Sequence, residues 1–162
     1  MLFRSKPSAS KSAKSFYESF FVGEDGTQYF IKPVSFDATD KNSELQVDFT
    51  FRYKNEIKDS ATINISLISN SIVKEVNNIS IKNLHHNVDL RDISLLYNEK
   101  KKDKFISRFT SKCSTQELFD IFADADIKID IDRKDAVSFY ITPNKTQKAI
   151  RSLNDNLLIL FR

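Results

Sequence analysis

Residues 45–53 alternate without a break: Leu45, Val47, Phe49, Phe51 and Tyr53 are apolar, and Gln46, Asp48, Thr50 and Arg52 between them are polar or charged. A period of two places every apolar side chain on one face of a β-strand. A helix would need apolar positions three and four apart. This stretch therefore commits the chain to a sheet with one face in a core and one in water. Residues 61–67 repeat the pattern, with Ala61, Ile63, Ile65 and Leu67 alternating with Thr62, Asn64 and Ser66. The polar run Lys54, Asn55, Glu56, Ile57, Lys58, Asp59 between the two reads as the loop of an antiparallel hairpin.

The rest of the chain fits around that hairpin. Residues 16–22 are aromatic and strand-like, and Gly23, Glu24, Asp25 and Gly26 mark a turn. Residues 28–36 follow as a strand, with Pro33 expected at an edge or a strand end because proline offers no ladder donor. Residues 37–43 form a polar loop. Residues 70–92 have mixed apolar spacing and read as short or irregular edge strands. Residues 93–98 and 104–113 predict another hairpin with residues 99–103 at its tip.

The pattern then changes. Ser114 with Glu117 three residues on is a capping box, and Leu118, Ile121, Phe122 and Ala125 recur at helical spacing, so a helix is predicted over 115–125. Ile127, Ile129 and Ile131 alternate with Lys128, Asp130 and Asp132 as a strand, and residues 136–141 return as its partner. Thr142 as N-cap and Pro143 at the first helical position open a last helix, with Ile150, Leu153, Leu157 and Leu160 or Phe161 as its apolar positions. The expected class is α+β: a mainly antiparallel sheet or sandwich, with two helices near the C-terminus covering one sheet face. Residues 16–162 read as one domain.

Composition sharpens the frame. Fourteen Phe and no Trp suit a sheet core, and with only two Gly among 162 residues most turns must use Asn, Asp, Ser and Lys. The formal net charge of +3 does not by itself imply nucleic acid. Cys113 is the single cysteine, which forbids an intramolecular disulfide and fits a reducing compartment. No run approaches the roughly 18 apolar residues of a membrane span, and the N-terminus lacks an apolar leader. Residues 1–15 carry Arg4, Lys6, Lys11 and Lys14 and no acid, the composition of a flexible basic tail or of a transit segment. A soluble, cytoplasmic chain is expected. The glycosylation-type triplets at Asn64, Asn78 and Asn144 are at chance level in a chain this rich in Asn and Ser.

The chemistry-bearing residues are sparse. His85 and His86 are adjacent, so on a strand they point to opposite faces and do not share an ion. Neither glycine lies in a phosphate-cradling loop, and no nucleophile elbow exists. No cofactor and no metal is expected. The best catalytic hint is Asp126, Lys128 and Asp130, the acid-x-lysine spacing of a metal-dependent phosphodiesterase or nuclease. Carboxylates two apart on a strand lie about 6–7 Å apart, near enough to share a divalent ion. Any solvated strand face looks the same. A second candidate is an anion-binding stripe of Lys100, Lys101, Lys102, Lys104, Arg108 and Lys112, with Phe105 and Phe109 on the opposite side. Lysines at a hairpin tip also keep edges from pairing. The third is the C-terminal run Leu157, Leu158, Ile159, Leu160 and Phe161, too apolar to stand in water uncovered. Its cover is either the chain's own sheet or another chain. The leading expectation is a non-catalytic protein-binding or assembly module, acting on a protein partner or a second copy through the C-terminal helix or a strand edge.

Overall fold

The computed structural model describes residues 16–55 and 60–162. The basic segment 1–15 and part of the loop after residue 53 lie outside the described residues. Among the described residues ten strands form a single sheet: β1 (Tyr17–Phe21), β2 (Thr27–Ala38), β3 (Glu44–Tyr53), β4 (Ser60–Ser69), β5 (Asn78–Lys82), β6 (Asn87–Asp89), β7 (Arg91–Lys101), β8 (Lys104–Ser114), β9 (Lys128–Arg133) and β10 (Ala136–Ile141). Helix α1 (Thr115–Phe122) precedes β9, and α2 (Asn144–Asn156) follows β10. The spatial order is β6-β5-β9-β10-β2-β3-β4-β8-β7, with β1 also on β2. The α+β class, dominated by antiparallel pairing, is as the alternation required.

The two ends of that order are β6 and β7, which are consecutive in the chain and separated only by Leu90. The Leu90 N–H still bonds to the Ile79 carbonyl of β5 at 2.9 Å. One residue on, the Arg91 carbonyl accepts from the Ser111 hydroxyl of β8. A single segment thus touches both ends, and the sheet curls into a nearly closed barrel. Its concave face carries Phe36, Leu45, Val47, Phe49, Phe51, Ile63, Ile65, Ile129 and Ile131, all buried.

Pro33 does not end a strand. β2 runs through it, and the pairing with β3 shifts register between Ile31 and Val34. On its other edge β2 passes from β1, which covers Thr27 to Ile31, to β10, which covers Asp37 and Ala38. The proline occupies the gap, where no neighbour asks for its missing donor. The glycine shortage is met as expected: Lys41, Asn55, Asp92 and Lys102 take positive φ. Gly26 is the exception, since at φ 88° a Cβ would collide with the Tyr53 carbonyl oxygen.

Both helices fill the concave side. Ser114 caps α1 through the expected box, accepting from Glu117 N while the Glu117 carboxylate accepts from Ser114 N, each at 3.0 Å. The helix is shorter than its apolar spacing suggested, ending at Phe122. Its Phe119 ring lies 5.2 Å from Phe51, and Phe122 lies 5.0 Å from Phe49. In α2, Pro143 rather than Thr142 is the N-cap. The Thr142 hydroxyl is taken by the backbone N–H of Ile127 at 3.3 Å, which removes it from capping. Thr146 donates to the Ser35 carbonyl at 2.6 Å, and from there α2 runs back along β2 toward Tyr29. The hairpin of β7 and β8 also extends further than predicted, leaving only Lys102 and Asp103 at its tip.

Candidate functional site

α2 ends at Asn156, and Leu158–Phe161 form one 3-10 turn rather than a further stretch of helix. The change of helix type divides the C-terminal run. Leu157 and Leu158 are 1% and 0% exposed, whereas Ile159 and Leu160 are 53% and 40% exposed. Phe161 sits in an aromatic box, with ring centroids at 5.2 Å to Tyr29, 5.2 Å to Phe51, 5.4 Å to Tyr53 and 6.0 Å to Phe119. The Arg162 guanidinium closes the turn by donating to the Phe119 carbonyl at 3.0 Å and to the Asn154 side chain. The chain's own sheet therefore covers three of the five residues, and the other two are held outward on a fixed turn.

The turn sits at one rim of the barrel. Tyr53 pairs with Thr27, and Thr27 pairs with Phe21. The Phe21 backbone is thus two strands, about 10 Å, from that of Tyr53, whose ring Phe161 touches. Phe21 and Val22 are exposed there, and a hollow of about 330 Å³ lies between Phe21, Gly26, Thr27, Tyr53 and Lys54. Rim apolar groups come from β1 and from the C-terminal turn together. The convex face nearby adds Phe20 and Phe30, packed edge to face at 5.5 Å.

Sequence spacing missed a second apolar feature. On β10, Tyr140 points inward and is buried, while Val137, Phe139 and Ile141 point outward and are 48%, 50% and 43% exposed. They register opposite Asp132, Asp130 and Lys128 of β9. The signal was present: Val137, Phe139 and Ile141 alternate with Ala136 and Tyr140, which are also apolar, whereas the residues between the apolar ones in 45–53 are all polar or charged.

The acidic candidates are dispersed. β9 begins at Lys128, so Asp126 lies before the strand, its N–H bonded to the Asp124 carboxylate at 2.9 Å. Asp126 opens onto a cleft of about 560 Å³ shared with His85, His86, Asp120, Asp124 and Arg151. The Asn83 side chain builds this cleft by donating to the Asp120 and Ile121 carbonyls at the end of α1 and accepting from His85 N and His86 N. Asp130 faces elsewhere and is held by Lys82 of β5 at 2.6 Å. Among the described residues no three His, Cys, Asp or Glu side chains converge as metal ligands.

The basic stripe is divided as well. Arg108 makes a two-pronged pair with Asp48 at 2.7 and 3.0 Å and bonds Ser66 at 2.9 Å. Asn64 donates to the same Asp48 carboxylate at 2.9 Å. The hydrogen bond to Asp48 raises the Arg108 pKa further. Lys104 bonds Asn70 at 2.8 Å. A bulge between Leu95 and Tyr97 shifts the face of the residues after it, so Lys100 pairs with Phe105. The Lys100 ammonium lies 5.9 Å over the Phe105 ring, on the side the alternation had kept free of charge. Lys101 and Lys102 stay exposed, and Lys112 faces Arg91 across the ladder. Cys113 is buried, and its thiol is pushed up to about 12 by burial first and by Glu117 second, so it stays protonated at neutral pH.

No protein-family model, no curated protein and no solved structure matches the chain, so its site is read from its own residues.

Proposed function

We propose that this chain is a non-catalytic protein-binding module that docks its partner at the rim formed by the C-terminal turn and the end of β1. The observation that carries the reading is the division of the C-terminal run. Leu157, Leu158 and Phe161 are anchored in the core, and that anchorage holds Ile159 and Leu160 out in water. An apolar pair on a fixed turn loses little conformational freedom on binding, which is what makes a few side chains effective anchors. Phe21 and Val22 enlarge the same surface.

A strand edge fits docking less well. β7 is the end strand and is exposed along most of its length. Its ladder to β8 slips twice, between Arg91 and Ser94 and between Leu95 and Tyr97. Bulges twist an edge away from a regular partner, and the lysines at its tip repel one.

The test compares the full chain with its Ile159→Asp/Leu160→Asp variant, each immobilised and exposed to extract of the native source. A protein held by the first and absent from the second is expected. The melting temperature should move by less than about 2 °C, because both positions are surface ones. Equal retention by both chains would end this reading.

A further inference from the structure

We infer that the convex face of β5, β9 and β10 is a self-complementary surface that pairs with the same face of a second copy about a two-fold axis. The surface is separate from the C-terminal turn and does not depend on it.

The ladder registers fix its layout. Val137, Asp132 and Asn78 lie in one row, Phe139, Asp130 and Ser80 in the next, and Ile141, Lys128 and Lys82 in the third. The side chains between them, Ile79, Ile81, Ile129, Ile131 and Tyr140, point into the core and are buried. The nine therefore share the outer face. Its apolar column is β10, and its charged column is β9.

A two-fold axis in the plane of contact, along the middle row, reverses the strand direction and leaves each column over itself. Val137 then meets Ile141 of the second copy, and Phe139 meets Phe139. Lys128 meets Asp132, and Asp132 meets Lys128, so the contact gains two opposite-charge pairs at once. Within the three strands the middle row adds no net charge, because each Asp130 is already neutralised by its own Lys82 at 2.6 Å; the exposed Asp89 of β6, bonded by the Ser80 hydroxyl, continues the row beyond the patch. The reversed arrangement turns the sign change along β9 into attraction. The same-direction arrangement would lay β9 over β2 and lose both pairs. Face-to-face sheets pack about 10 Å apart with an angle near 30° from twist, which long Lys and Asp side chains tolerate.

The patch is three strands wide, smaller than the roughly 800 Å² per partner of a standard stable interface, so the pairing is concentration-dependent, with a Kd in the micromolar range or weaker. Phe139 is its centre.

Sedimentation velocity of the full chain from about 1 to about 300 µM tests this. A monomer–dimer equilibrium is expected. Phe139→Lys should raise the half-dimer concentration at least about tenfold, and Lys128→Asp and Asp132→Lys singly should raise it about threefold to tenfold. The double variant Lys128→Asp/Asp132→Lys should return it to the starting value, because both pairs are re-formed with reversed sign. Ile159→Asp/Leu160→Asp should leave it unchanged. Circular dichroism checks each variant's fold; if Phe139→Lys does not fold, Phe139→Thr, which keeps strand propensity, replaces it. A chain that stays monomeric throughout overturns the inference. So does a dimer indifferent to Phe139, a double variant that does not recover, or a dimer lost with Ile159 and Leu160.

Discussion

The concave and convex faces of this sheet obey opposite rules, and each face departs from its own rule. The concave face is apolar and is closed by two helices and a C-terminal turn. The convex face is polar over β3, β4 and β8, where Asp48, Asn64, Ser66 and Arg108 satisfy one another. Inside, the exception is a hydroxyl: Tyr29 Oη is buried with no hydrogen-bond partner among the described residues. Outside, the longest departure is the apolar column of β10, and the Phe20 and Phe30 pair is a smaller one. A fold tolerates an apolar row in water more cheaply than an unpaired polar atom in the core, since the first loses burial and the second loses bonds to water. The apolar column on the outside is the surface proposed above to pair with a second copy.

The concave rule can be attacked at Leu158. It lies in the C-terminal run and is 0% exposed. Leu158→Ala should cost about 2–5 kcal/mol, the transfer term plus the cavity left in the core. Urea unfolding measures it, and a loss below about 1 kcal/mol would mean that the turn is not part of the core. The convex rule can be attacked at Asp48, whose side chain is only 13% exposed. Asp48→Ala leaves the Arg108 guanidinium without its main partner and should cost about 2–3 kcal/mol. Asp48→Leu combined with Arg108→Leu should recover most of that, because no charge is then left unpaired. A double variant no better than the single one would show that the pair is not the source of the loss.

How far the sequence reaches follows the same division. The alternation in residues 45–53 and 61–67 located the hairpin at the centre of the sheet, because a half-buried strand must write its two faces in different residue types. The capping box at Ser114 and Glu117 located α1 for a similarly local reason. The closure of the barrel was not legible. It depends on Leu90 carrying the chain from β5 to β8, and nothing local marks a residue that changes partners. The path of β2 through Pro33 was hidden for the same reason: a proline looks like a strand end unless its neighbours are known to change at that point. The C-terminal run was legible as a feature, but its division was not, since the switch from α2 to a 3-10 turn re-aims Ile159 and Leu160. The β10 column was written plainly in Val137, Phe139 and Ile141, with apolar Ala136 and Tyr140 on the opposite face. It could not be assigned without knowing that both helices lie on the other side of the sheet.

The smallest expected effect has the most informative sign. Tyr29 is 1% exposed, stacked on Phe51 at 5.1 Å and covered by Phe161 at 5.2 Å. Its ring belongs to the concave rule, and only its hydroxyl departs from it. Tyr29→Phe removes the unpaired oxygen and keeps the ring, so stability should stay level or rise by about 1 kcal/mol, whereas deletion of a satisfied buried hydroxyl lowers it. The alkaline limb provides a second readout. Burial, followed by Tyr17 and Tyr53, raises the Tyr29 pKa from 10.0 to about 12, and burial raises Cys113 from 9.0 to about 12. In both cases the unfolded chain releases its proton first. The folded state therefore holds more protons, and the stabilisation present below pH 9 is lost as pH rises through the window from 9 to 12. Tyr29→Phe removes one of these groups, so the fall above pH 10, to which Tyr17, also raised by burial, contributes as well, should become shallower, with Cys113 responsible for the part below it. A Tyr29→Phe chain that is less stable at neutral pH would mean that the hydroxyl has a partner in solution, and the concave face would then follow its rule without exception.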